Sequence, residues 1–150
     1  MQLPEPAELT RSFESKRGKL PMPVDGEAAV VSGFGRRTHT EYARVEVQNN
    51  GIDIEGHPGA HARAVHSGTV SMVILMDGFQ NVVLVRHGEY LTVYAGLATL
   101  DVRKGDNVTA GQSLGTLYTP PGDSHGTRLH FEVRHEKEKL DPAAWLKTTR

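Results

Sequence analysis

Arg128-Leu129-His130-Phe131-Glu132-Val133 decides the reading of this chain. Its β-favouring residues alternate in character, so the stretch is expected to be a strand, and period-two geometry sorts it into two faces. Leu129, Phe131 and Val133 form an ordinary core-facing row, while Arg128, His130 and Glu132 place a guanidinium, an imidazole and a carboxylate side by side on the other. A second stretch, Asn49-Asn50-Gly51-Ile52-Asp53-Ile54, carries a comparable polar row of Asn49, Gly51 and Asp53 if it is extended. The two polar rows are expected to face each other across a groove.

Working outward, 150 residues suit one domain with a core that needs no covalent staples. Seventeen Lys and Arg against eighteen Asp and Glu leave a net charge of -1, which argues against a nucleic-acid or anionic-membrane surface. The absence of cysteine excludes disulfides and thiolate metal sites. No apolar run approaches the ~20 residues of a membrane helix. Met1 to Pro6 lacks the basic-then-apolar order of a secretion signal, which fits either a cytosolic chain or a mature fragment.

In chain order, Pro6 to Arg17 is expected to form a short helix with Leu9 and Phe13 on one face and Gly18 as its stop. Residues 1–18 are accordingly read as an arm or the end of an upstream helix, and 19–150 as the domain. β signals follow almost without interruption. Strands are expected at Ala28–Ser32, Arg44–Gln48, Thr69–Leu75, Asn81–Arg86 and Leu91–Ala95, with Asp77-Gly78 as a hairpin turn. Val102–Gly115 is turn-rich, and Asp141 should cap a closing helical turn from Pro142. Short strands with glycine-rich turns predict a mainly β chain, a small antiparallel sandwich or barrel, with short helical segments at both ends.

Zinc requires three or four converging His, Asp, Glu or Cys ligands. Asp53 and His130 are candidates. Asn49 stands on the Asp53 face but offers only a neutral amide, and Arg128 has no lone pair to give. His57 and His61 straddle Pro58-Gly59 and read as loop residues, while His125 lies close enough to the decisive strand to swing in.

From Lys19 to Leu146 the chain resembles the lysostaphin/LytM-type zinc peptidase domain of cell-wall hydrolases. The matching residues are Ser32-Gly33-Phe34-Gly35-Arg36, Gly51-Ile52-Asp53-Ile54, Ala64–Val70, His87-Gly88 followed by Tyr94, Val102–Gly115 and Leu129–Glu132. The resemblance implies the family's small antiparallel β fold, a duplicated hybrid motif with a groove. It also implies a zinc held by the His and Asp of HxxxD and the second His of HxH, with the first HxH histidine and that of Tyr-x-His-Leu assisting catalysis. Here the HxxxD histidine falls on Asn49 and its aspartate on Asp53. The Tyr-x-His-Leu histidine falls on Gly96, and the HxH pair on Arg128 and His130. Three of the five positions have changed, and zinc-assisted hydrolysis needs both a held metal and a positioned base.

That pattern is similar to the degenerate EnvC- and NlpD-like members, activators of peptidoglycan amidases in the bacterial envelope. The resemblance implies a pseudo-peptidase of the periplasm or cell envelope, with no cofactor and with a hydrolase, or peptidoglycan as well, as partner. Arg128 is expected to replace the missing cation by contacting Asp53, or to share a network with Asn49. Partner contacts are expected from Arg36, Arg37, Tyr42, Tyr90, Tyr94, Tyr118 and Arg128, since Tyr and Arg are common anchors. The alternatives are an active zinc endopeptidase with His125, His57 or His61 as substitute ligand, and a biotinyl- or lipoyl-type carrier. The last requires a lysine at an exposed hairpin tip, and Met76-Asp77-Gly78-Phe79 has none.

Overall fold

The computed structural model describes residues 3–38, 46–122 and 126–147, with the side chains of 36–38 and 46–48 outside that description. Among the described residues, twelve strands follow one α-helix in chain order. They are α1 (Pro6–Ser15), β1 (Ala29–Ser32), β2 (Gly35–Thr38), β3 (Glu46–Asn49), β4 (Ile52–Glu55), β5 (His61–Arg63) and β6 (Gly68–Met76). β7 (Gln80–His87), β8 (Tyr90–Leu97), β9 (Asn107–Val108), β10 (Ser113–Thr116), β11 (Arg128–His135) and β12 (Glu138–Leu140) complete the set before a 3-10 turn, Pro142–Ala144. The main sheet is antiparallel, in the order β1-β4-β11-β8-β7-β6-β9, with β12 hairpinned onto β11. β5 pairs β10 and β2 pairs β3 in two small ribbons.

The core lies on one face of the main sheet. Ile52 and Ile54 of β4, Leu129, Phe131 and Val133 of β11, and Tyr94 of β8 are all fully buried there. Ala62 of β5 and Leu114 of β10 belong to the same cluster and cover it. The alternation read in Arg128–Val133 is therefore present, with its apolar row inward. The opposite face is divided: β4 and β11 are polar, whereas Val82, Leu84, Leu91, Val93 and Ala95 form a separate apolar cluster on β7 and β8.

Local chemistry places the turns. Asp77-Gly78 closes the β6–β7 hairpin with Gly78 at φ +83 and the Phe79 N–H donating to the Met76 carbonyl. The helix docks through Phe13, and the Gly18 N–H donates to the Trp145 carbonyl at 3.0 Å. Asp141 caps the closing turn, its Oδ1 accepting from the Ala143 N–H. Strand β12 went unforeseen because Glu138-Lys139-Leu140 has no apolar alternation. Its pairing with the end of β11 makes it a strand, through a turn holding Glu136 at φ 55.

Gly51 is fixed by space. A Cβ there would lie 2.1 Å from the Phe131 carbonyl oxygen and 2.7 Å from Glu132 Cγ. Gly51→Ala is expected to force β4 away from β11 and to lower stability by about 2 kcal/mol. Urea unfolding checks this, with preserved stability as the contrary result.

Candidate functional site

The decisive residues meet on the outer face where β4 pairs β11. Asp53 and His130 are cross-strand partners, so the two polar rows lie side by side in one sheet and do not oppose each other across a groove. Antiparallel registry alone brings such side chains within reach. His130 Nδ1 lies 2.9 Å from Asp53 Oδ1, and its Nε2 lies 2.7 Å from Glu132 Oε2. Glu132, buried, also accepts from Arg134 Nε at 2.9 Å. On the other side Asn49 Nδ2 donates to Asp53 Oδ2 and to Ser32 Oγ, both at 3.1 Å, while Asn49 Oδ1 accepts from the Gly51 N–H. The result is one continuous chain, Asn49–Asp53–His130–Glu132–Arg134.

Burial alone would push the His130 imidazole down. The hydrogen bonds and negative charges of Asp53 and Glu132 outweigh it and raise the pKa to about 9. Burial would raise Glu132, but its bonds from His130 and Arg134 hold it below the ordinary carboxylate value. His130 is thus an imidazolium that donates from both ring nitrogens.

The expected Arg128–Asp53 contact is not formed. Among the described residues the cation paired with Asp53 is His130, and Arg128 makes no ion pair. The two strand neighbours of Asp53 on this face compete for it, and His130 stands directly opposite while Arg128 is in register with Glu55. Asn49 joins Asp53 in the network but Arg128 does not, so among the described residues neither form of that expectation is met. Arg128 instead lines a hollow of about 290 Å³ together with Asp53, Gly96, Tyr118 and His130. Phe79, from the β6–β7 tip, forms another wall with its ring 6.3 Å from His130. A second hollow of about 320 Å³ continues past Asn49, Asp53 and Glu132.

Two proposed rim residues are misplaced. Tyr94 is fully buried, its hydroxyl accepting from the Val65 N–H, because its position on β8 points to the core face. Tyr90 is buried under α1 and donates to Glu14. Tyr118 and Arg128 do line the groove. The side chains of Arg36 and Arg37, and all of Tyr42 and His125, lie outside the described residues. His57 approaches the Pro58 carbonyl and His61 approaches Asp25, so neither lines the groove. Glu132, Arg134 and Phe79 were missed as site residues. Period two marked Glu132 and Arg134, whereas only the hairpin's direction places Phe79.

Among the described residues, this donor set does not fit a zinc ion. Both His130 nitrogens are committed to carboxylates, Asp53 accepts from His130 and Asn49, and a carboxamide stands where a third ligand is needed. At the Tyr-x-His-Leu position Gly96 has φ +105, and a Cβ would lie 2.8 Å from the Arg128 carbonyl oxygen, so that backbone disfavours any side chain. Among the described residues, three donors gather only at Glu89, His135 and Glu136, at the far end of β8 and β11. No described helix is long and apolar enough to cross a membrane.

The murein hydrolase activator NlpD of Escherichia coli K12 is 34% identical over 127 residues, covering 80% of this chain and 30% of NlpD. The murein hydrolase activator EnvC of the same organism is 27% identical over 143 residues, covering 95% of this chain and 34% of EnvC. A zinc-containing peptidase from Vibrio cholerae superposes with a TM-score of 0.68 at 29% identity, over 85% of this chain and 40% of that one. The chain spans less than half the length of such relatives, 21% in an uncharacterized Neisseria meningitidis protein. The model of peptidase family M23 matches residues 47–142, well over half of the chain, and with the LytM-type sheet and groove in place the chain belongs to peptidase family M23.

Proposed function

We propose that this chain is a non-catalytic M23 domain of the cell envelope that binds a murein hydrolase, such as a peptidoglycan amidase, through its groove and activates it. One observation carries the reading: His130 is clamped by Asp53 and Glu132 through both nitrogens, so a metal would have to displace one of these contacts. A metal-free groove keeps its shape because the charge chain supplies internally what an ion would otherwise supply. The exposed Arg128 and the walls of Phe79 and Tyr118 then offer an arginine and aromatic surface of the kind that anchors a partner. The similarity to NlpD and EnvC supports the activator role, and their names support a setting at the cell wall.

The test joins metal content to activation. Purified chain should carry no stoichiometric zinc, show no tight zinc binding by calorimetry, and leave labelled peptidoglycan intact. Added to a peptidoglycan amidase, it should increase dye release, and Arg128→Glu should abolish the increase without altering the fold. One zinc per chain, lost in Asp53→Ala or His130→Ala and accompanied by peptide-bond cleavage in peptidoglycan, would establish an active endopeptidase instead.

A further inference from the structure

The strand β6 is covered for only half its length. Its start pairs β9 at Gly68 and Thr69, and Val70 exchanges backbone hydrogen bonds with Gly105 and Asp106. Beyond that point, among the described residues, only β7 pairs with it. The uncovered part, Met72-Val73-Ile74-Leu75-Met76, contains no charge, proline or glycine. It is also unusually open for such a sequence: Met72 is 40% exposed, Ile74 38%, Leu75 77% and Met76 44%. Natural edge strands are normally blunted by charge, proline or a bulge; the bulge of β6 lies between Val70 and Met72, at its covered end, and the apolar, uncapped remainder is a template for another strand.

We propose that this edge is a homodimer interface, in which β6 pairs antiparallel with β6 of a second copy about a two-fold axis at Ile74. The proposal does not rest on the activator reading. An antiparallel self-pairing centred there sets Met72 opposite Met76 of the other copy, Val73 opposite Leu75, and Ile74 opposite itself. Each pair joins side chains on the same face of the extended sheet, because the paired positions share parity. No like charges oppose one another, as an isologous contact requires.

The ends of the segment fix the register. Where β9 gives out, the turn Arg103-Lys104-Gly105 is hydrogen-bonded to Val70 and blocks further pairing along the edge. A partner strand laid in this register ends there with its own Asp77, which comes to the bulge at Ser71, beside the exposed Arg103 and Lys104. The carboxylate of each copy therefore meets the Arg103 and Lys104 side chains of the other, twice per dimer, while Asp106 of the same turn is engaged with the Arg103 N–H. A partner segment bearing a charge within its central five residues would instead set that charge against the apolar row.

The experiment is sedimentation equilibrium of the full chain, with hydrogen exchange on the same samples. Wild type should dimerise with micromolar affinity, and alternate amides within Met72–Met76 should gain protection as concentration rises. Leu75→Lys, at the most exposed site of the strand, should be monomeric with unchanged circular dichroism, and should melt where wild type does when diluted below its dissociation constant. Asp77→Lys should weaken association about tenfold or more, and Lys104→Asp in the same chain should restore part of it. A wild type that stays monomeric at about 0.5 mM overturns the proposal. So does a dimer that Leu75→Lys leaves intact, or protection of these amides that requires an added hydrolase.

Discussion

Phe13→Ala is expected to destabilise the domain by about 3 to 5 kcal/mol. The ring is fully buried and sits at the centre of an aromatic cluster. It stacks on His87 and Tyr90 at 4.8 Å, lies 5.0 Å from Trp145, and meets His66 edge-on at 5.7 Å. Its loss leaves a cavity whose walls are held from several sides: His87 donates to the Ser67 carbonyl, Ser12 bonds His66, and Tyr90 bonds Glu14. Such a site collapses poorly, which places the cost toward the upper end of the range.

A second readout accompanies the first. Burial pushes the His87 pKa down to about 4, so in wild type the folded state excludes a proton that the unfolded chain accepts. A depressed histidine gives stability that is full above about 6.5 and is lost as pH falls toward 4. Opening the cavity lets His87 protonate while folded, so the gap between wild type and Phe13→Ala should narrow in acid. Urea unfolding at neutral pH and at about pH 5 tests both parts. A loss under about 1 kcal/mol at neutral pH would show that the helix contributes little to the folded unit.

Glu132→Gln should remove the keystone of the charge chain. Glu132 receives hydrogen bonds from His130 and Arg134 while largely buried, and an amide in its place accepts weakly and presents a donor to two cations. The expected loss is about 2 to 3 kcal/mol at about pH 6. The His130 pKa is raised to about 9 in the folded chain, so its contribution is full below about 6.5 and is lost as pH rises through 9. Glu132 is held below the ordinary value, so its own contribution is present above that value and lost as pH falls through the folded one. The difference between wild type and variant should thus be largest between about pH 5 and 6.5 and shrink above about 9. NMR titration of His130 should give a pKa near 9 in wild type and a clearly lower value in Glu132→Gln. An unshifted ordinary value in wild type would contradict the clamp, and with it the argument against a metal.

Much of this site was legible one strand at a time. Alternation in β11 fixed which side chains point outward, and the substitutions at Asn49, Gly96 and Arg128 marked the departure from a zinc peptidase. The identity of the cation was not legible. Arg128 is always charged and looks the better partner for Asp53, yet registry sets His130 opposite Asp53 and Arg128 opposite Glu55. Distance decides the pairing, and distance across strands is a property of register. The misplaced tyrosines share that cause: Tyr90 and Tyr94 are two of four tyrosines in a short chain, and only the sheet's inward face and the docking of α1 reveal them as core.

By itself, the sequence determined the β architecture, the hairpin at Asp77-Gly78, the capped closing turn and the inward row of Leu129, Phe131 and Val133. These follow from backbone preference and period, which act over a few residues. Tertiary structure alone decided that Asp53 and His130 are neighbours in one sheet, that Glu132 closes the clamp, that Phe79 hangs over it, and that among the described residues one edge of Met72–Met76 is left unpaired. Each depends on which strand lies beside which, and so on contacts between residues far apart in the chain.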